Sequence, residues 1–148
     1  MKRLSWKYIA GMMDGDGCFD LLVSKEKYIR PRVRLKLTEP GYEVLECCYN
    51  SYKGFLSKEY RKGNSNWLGF KEWAIYGKRS RGFLQHIVNY SVIKKEQIKL
   101  LIYIIDNLMG KHISNEIRAF IVEELKAMKR DSQRLSEKAI VEIEQLML

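Results

Sequence analysis

Residues 30–37 read Arg-Pro-Arg-Val-Arg-Leu-Lys-Leu, an unbroken alternation that fixes how this stretch must sit in a fold. A β-strand sends successive side chains to opposite faces. Val33, Leu35 and Leu37 therefore face a core, and Arg30, Arg32, Arg34 and Lys36 line the other side. Four cations about 7 Å apart repel one another. Such a row has a use only when an anion lies across it. The chain as a whole supports this, with a net charge of +9 over 148 residues. A balance of that size draws polyanions, so nucleic acid or an anionic membrane surface is the expected partner class. The most apolar stretch, Ile98 to Met109, contains Tyr103 and Asp106 and falls short of the ~20 residues a membrane span needs. Arginine is the informative choice here, because its planar fork takes guanine O6 and N7 bidentately, and a twisted antiparallel ribbon fits the major groove.

The other elements follow from periodicity and turn chemistry. Ser5 caps a helix that runs to about Asp14, and Gly15-Asp16-Gly17 ends it. Strands are expected at Cys18–Ser24 and Arg30–Thr38, joined by a charged turn at Lys25–Lys27. Tyr42–Tyr52 reads as a helix closed by Gly54. Two further strands, about Phe55–Lys62 and Trp67–Tyr76, flank the turn Gly63-Asn64-Ser65-Asn66. Helices follow over Ser80–Tyr90 and Lys94–Met109, then around Ile117–Met128 and Ile140–Met147. The result is an α+β domain spanning 1–148, with an antiparallel four-stranded sheet covered by helices on one face. By strand parity Asp20, Leu22 and Ser24 share the open face with the arginines, and Lys71 and Trp73 are assigned to it as well.

Cys18, Cys47 and Cys48 read as reduced thiols in or near the core of an intracellular protein. No secretory leader is read at Met1-Lys2-Arg3, and the expected compartment is a prokaryotic cytoplasm or an organelle matrix. His86 and His112 lack zinc-ligand spacing, and His86 reads as an ordinary, partly buried histidine. There is no P-loop and no dinucleotide fingerprint, so no small-molecule substrate is expected.

Residues 9–17, Ile-Ala-Gly-Met-Met-Asp-Gly-Asp-Gly, carry the chemistry. Two carboxylates beside a polyanion-binding face are out of place unless a cation neutralises them, and hard oxygen ligands suit Mg²⁺. An EF-hand fails in detail: Cys18 stands at its fifth position and Lys25 at its closing glutamate. Gly11 and Gly15 lie four residues apart on one helix face, with Ala10 beside them. Each glycine inside a helix costs ~1 kcal/mol relative to alanine. Close approach of a second helix is the usual reason. The same helix of a second subunit would place one acid near each DNA strand.

The segment Ile9–Gly17, continued by Cys18-Phe19, resembles the LAGLIDADG motif of homing endonucleases. The likeness extends over about residues 5–110 in that family's αββαββα order, with a helical extension at about 113–148. One motif in a chain of this length is similar to the homodimeric branch. The resemblance implies a double-strand break in a long DNA target, made by in-line attack of water with Mg²⁺; Mn²⁺ would substitute, and Ca²⁺ would bind without supporting efficient cleavage. It implies Asp16 as the metal-binding acid, the Gly15 carbonyl as a backbone ligand, and Lys94 as the lysine reaching the scissile region, with Lys95 as its neighbour. Glu39 matches a polar residue that orders water, and Asp14 a position with a local structural role. Ala10, Gly11, Asp14 and Gly15 are the expected homodimer interface. The alternative is a relative that has lost cleavage and serves as an intron-RNA maturase or a DNA-binding protein.

Overall fold

The computed structural model describes residues 4–24, 28–61 and 68–148. The turns expected at Lys25–Lys27 and at Gly63-Asn64-Ser65-Asn66 lie outside the described residues, as do Lys62 and Trp67. Helix α1 spans Trp6–Asp16 and β1 spans Gly17–Val23, so the motif helix runs directly into the first strand. Ser5 caps α1 by accepting from the Tyr8 amide. Then come β2 (Ile29–Leu37), α2 (Tyr42–Tyr52), β3 (Phe55–Leu56) and β4 (Lys71–Tyr76). A 3-10 turn at Gly77–Arg79 leads into α3 (Ser80–Ile87), α4 (Lys95–Asn107), α5 (Asn115–Arg130) and α6 (Ser136–Met147). No helix among the described residues is long and apolar enough to cross a membrane.

The strands form one antiparallel sheet in the order β1-β2-β4-β3. Burial along β2 alternates as the sequence dictates: Val33 and Leu35 are fully buried, while Arg30 and Lys36 are exposed. Phe19, Trp73 and Ile75 join them beneath the helices, around Leu84, Ile98, Leu101 and Ile104. Gly54 has a φ of 89°, and a Cβ there would collide with the Ala74 carbonyl oxygen, so glycine lets α2 turn tightly into the sheet.

β3 and β4 are shorter than the sequence suggests. The Ser57 hydroxyl accepts from the Glu72 amide, and beyond it the pairing slips by one residue to an isolated bridge between Tyr60 and Phe70. A side chain that bonds the neighbouring backbone replaces the ladder at that point.

The C-terminal helices belong to the same core through Ile117, Ile121, Leu125, Met128, Ala139 and Ile143. No side chain of Leu135 caps α6. Glu96 of α4 does so instead, its Oε1 accepting from Ser136 N at 2.9 Å and from Ser136 Oγ at 3.1 Å.

Candidate active site and nucleic-acid interface

The helix-free face of the sheet is assembled by cross-strand register. Asp20 pairs with Arg32, which pairs with Tyr76; Cys18 pairs with Arg34, which pairs with Ala74. Leu22 lies opposite Arg30, and Lys36 opposite Glu72. Directly paired residues point to the same side of a sheet. Arg30, Arg32, Arg34, Lys36, Asp20 and Leu22 therefore share one face, as the alternation predicts. Ser24 lies just past β1, where its hydroxyl accepts from the Tyr28 amide at 3.1 Å.

On the fourth strand the expected direction is inverted. Trp73 is 0% exposed, pairs with Leu35, and donates its indole N–H to the Lys53 carbonyl at 2.7 Å. Lys71 pairs with Leu37 and lies over the Tyr42 ring on the helix side. Neither residue faces the basic side; Glu72 and Tyr76 do. The alternation of Trp73 with Ile75 was the signal for this parity, because both are large apolar residues that a sheet buries.

The row of cations is also less bare than charge counting implies. Asp20 bridges Arg32 and Arg34, with its closest contact, to Arg32 Nη2, at 2.6 Å. Burial raises the Asp20 pKa, but its hydrogen bond to Arg32 and the charges of Arg32, Arg34 and Lys129 outweigh that and hold it below the ordinary carboxylate value. Arg34 Nε is buried without a partner among the described residues, although Nη2 of the same guanidinium bonds Asp20 and Cys18.

Asp16 ends α1 at the rim of this face. It lines a cavity of about 310 Å³ with Cys18, Arg34, Lys36 and Glu72. Gly15 lies in the last helical turn, whose carbonyls have no partner farther along the helix. The same helix end carries the negative pole of the helix dipole. Lys94 fills part of this cation-seeking end: its Nζ donates to the carbonyls of Met13 at 3.1 Å and Gly17 at 2.5 Å. Burial pushes the Lys94 ammonium below its ordinary pKa, opposed by Cys18, Asp14 and Asp16 and reinforced by Lys129, which makes it a readier proton donor. Lys94 is thus the lysine that reaches the acid-bearing turn, not Lys95.

Asp14 turns inward, accepting from the amides of Val92 at 2.8 Å and Lys94 at 3.1 Å. It ties the loop before α4 to the motif helix, the local structural role expected of it. Ala10 is removed from the expected interface, since it is fully buried with Ile9 and Met13 in the chain's own core. Gly11 and Gly15 do lie on the outer side of α1, where a Cβ would meet nothing within 4 Å. Gly17 serves the fold directly, because a Cβ there would collide with Met13.

Glu39 stands exposed in the turn before α2, where its charge acts on Tyr42 and Arg61. It is not among the residues lining the Asp16 cavity, and the second acid there is Glu72. Cys47 and Cys48 are buried on α2, whereas Cys18 sits on the open face 3.6 Å from Arg34 Nη2 and 3.6 Å from Lys129 Nζ. No local pattern announces Lys129; it arrives by the docking of α5 against β1. His86 is exposed, stacked on Trp6 at 4.6 Å and bonded to the Tyr52 hydroxyl, a surface aromatic cluster and not a partly buried group.

The fold is that of solved LAGLIDADG homing endonucleases. The homing endonuclease I-CvuI, solved in complex with its target, is similar over 95% of this chain and 93% of its own, with a TM-score of 0.64 at 20% identity. The homing endonuclease I-TnaI is similar over 89% and 100% of the two chains, with a TM-score of 0.53 at 21% identity. The LAGLIDADG meganuclease I-AabMI, solved bound to uncleaved DNA, matches over 84% of this chain and 44% of its own, with a TM-score of 0.57 at 21% identity. No family model matches the sequence, and no curated protein does.

Proposed function

We propose that the protein is a site-specific DNA endonuclease that acts as a homodimer with Mg²⁺ and cuts both strands of a long target. The observation that carries this reading is Asp16: an exposed acid at the edge of a cationic sheet face, in one cavity with Arg34 and Lys36. The DNA in the I-CvuI and I-AabMI structures supports the choice of partner, and the calcium present with I-CvuI supports divalent metal use.

The donor set fits a hard cation that keeps much of its water. Asp16 and the Gly15 carbonyl would hold it, and no cluster of three or more His, Cys, Asp or Glu side chains exists among the described residues to build a closed cage. A divalent ion held there would supply positive charge to offset the negative charge that develops during phosphodiester hydrolysis. Arg34 and Lys36 grip the phosphate oxygens. Lys94 stabilises developing negative charge or passes a proton, held ready by its two carbonyl partners. The role of Glu39 in ordering water rests on the resemblance alone. Arg30, Arg32 and Leu22 meet the groove farther along the sheet, where base contacts specify and phosphate contacts position.

The outer side of α1 supports the homodimer. Among the described residues of one chain nothing lies within 4 Å of a Cβ at Gly11 or Gly15, so their helix-weakening effect is not offset there. Tyr8, Val92 and Ile93 are 50%, 81% and 55% exposed. A second copy apposed along this face covers the glycines and brings two Asp16 carboxylates together. Incubating the protein with a randomised duplex library in Mg²⁺ tests the proposal. Cleaved members should share one long site with breaks in both strands, and an absence of metal-dependent products would overturn it.

A further inference from the structure

On the basic face one carboxylate is surrounded by cations. Asp20 Oδ1 accepts from Arg32 Nε at 2.8 Å, and Oδ2 accepts from Arg32 Nη2 at 2.6 Å and Arg34 Nη2 at 3.2 Å. The side chains of Asp20, Arg32 and Arg34 are 20%, 23% and 32% exposed, so the cluster is largely shielded before any ligand arrives. The Asp20–Arg32 pair is a planar fork-on-fork contact, the arginine geometry that constrains direction most strongly. A guanidinium offers two edges for a bidentate contact, Nε with Nη2 and Nη1 with Nη2. Asp20 takes the first edge of Arg32 and leaves the second, which points along the side chain. Asp20 therefore limits Arg32 to one approach towards a base.

We propose that Asp20 is a specificity-determining positioning residue, one that reads no base itself but fixes Arg32 end-on towards the groove and holds Arg34 beside it. The inference rests on the DNA-binding reading above. Its physical signature is a pair of opposite signs. A carboxylate facing a polyanion weakens binding to every sequence alike, and it withholds the Nε–Nη2 edge of Arg32 from phosphates. Its removal should strengthen binding to random DNA, steepening the salt dependence by about one counterion. The same removal lets Arg32 meet a base or a phosphate by either edge, and discrimination falls. A residue that simply contacts DNA would lose affinity and selectivity together.

Position-by-position duplex binding profiles at fixed salt, for the wild type and for Asp20→Ala, test this. The variant should bind random sequence more tightly, and its preference at one base pair should fall roughly tenfold or more, the range of a lost bidentate base contact. In an Arg32→Lys background, Asp20→Ala should change nothing further at that base pair. If Asp20→Ala does not fold, Asp20→Asn keeps the size without the charge and should show the same changes in smaller degree. An unchanged profile overturns the inference. So does an equal change in the Arg32→Lys background, which would make Asp20 a direct base reader. A wild type that binds no duplex, or all duplexes alike, removes the DNA-recognition reading and this inference with it.

Discussion

Asparagine at position 16 keeps the size of the side chain and removes the charge that holds a cation and repels phosphate. Asp16→Asn should abolish cleavage of both strands while target binding stays equal or tightens slightly, as cleavage and gel-shift assays on one duplex would show. Near wild-type cutting would remove Asp16 from the metal site. Lys94→Met should slow single-turnover cleavage by ~10²-fold or more, typical of a lost proton-transfer or charge-stabilising group, with little change in affinity. Lys95→Met is the control, and equal slowing there would shift the role to the neighbour. Asp20 carries a pH prediction. Its folded-state pKa lies below its ordinary value of 3.8, so its contribution to stability is present above that value and is lost as pH falls through the lowered one. Denaturant midpoints should drop on acidification below about pH 4, and the drop should be smaller in Asp20→Ala. At this scale the place of Asp16 at the end of the motif helix was legible in the glycine-acid run, and the approach of Lys94 to that helix end only through the family resemblance. Glu72 and Lys129 were not, because each reaches the Asp16 neighbourhood through pairing or docking that no local pattern encodes.

Among the elements, β2 was the easiest to read, since one slip of register would bury arginines and expose Val33 and Leu35. On β4 a one-residue difference in register inverts the parity expected for Lys71 and Trp73. The large apolar pair Trp73 and Ile75 decides the parity, and burial outweighs one lysine at a strand end. β3 stops early because Ser57 bonds the backbone of Glu72, a tertiary choice that β-propensity does not reveal. The α6 helix was legible as a helix but not in its placement, because its cap comes from Glu96 on α4. Glu96→Ala should cost ~1 kcal/mol, in the range of a lost N-cap. Amide exchange in the first turn of α6, from Ser136, should accelerate more than in α5. Uniform acceleration through both helices would show that packing, not this cap, docks α6.

At the scale of the whole molecule, one chain presents a cationic sheet on one side and an uncovered glycine-bearing helix at its edge. Gly11→Leu separates the two roles of that helix. Within a chain a Cβ at this position meets nothing within 4 Å among the described residues, and helix propensity improves by up to ~1 kcal/mol, so thermal stability of the subunit should not fall. Between chains the leucine fills the space two backbones need. Sedimentation at micromolar concentration should find the wild type dimeric without DNA and Gly11→Leu monomeric. A monomeric wild type would count against the shared-helix interface. In the proposed dimer two copies of Asp16, brought together beside the cationic sheet, direct metal-dependent hydrolysis of both DNA strands. The most direct measurement takes a duplex selected from the randomised library and compares wild type with Asp16→Asn, in Mg²⁺ and in EDTA. Double-strand breaks by the wild type in Mg²⁺ alone, with binding retained by Asp16→Asn, are the predicted result; cutting in EDTA, or equal cutting by Asp16→Asn, would contradict it.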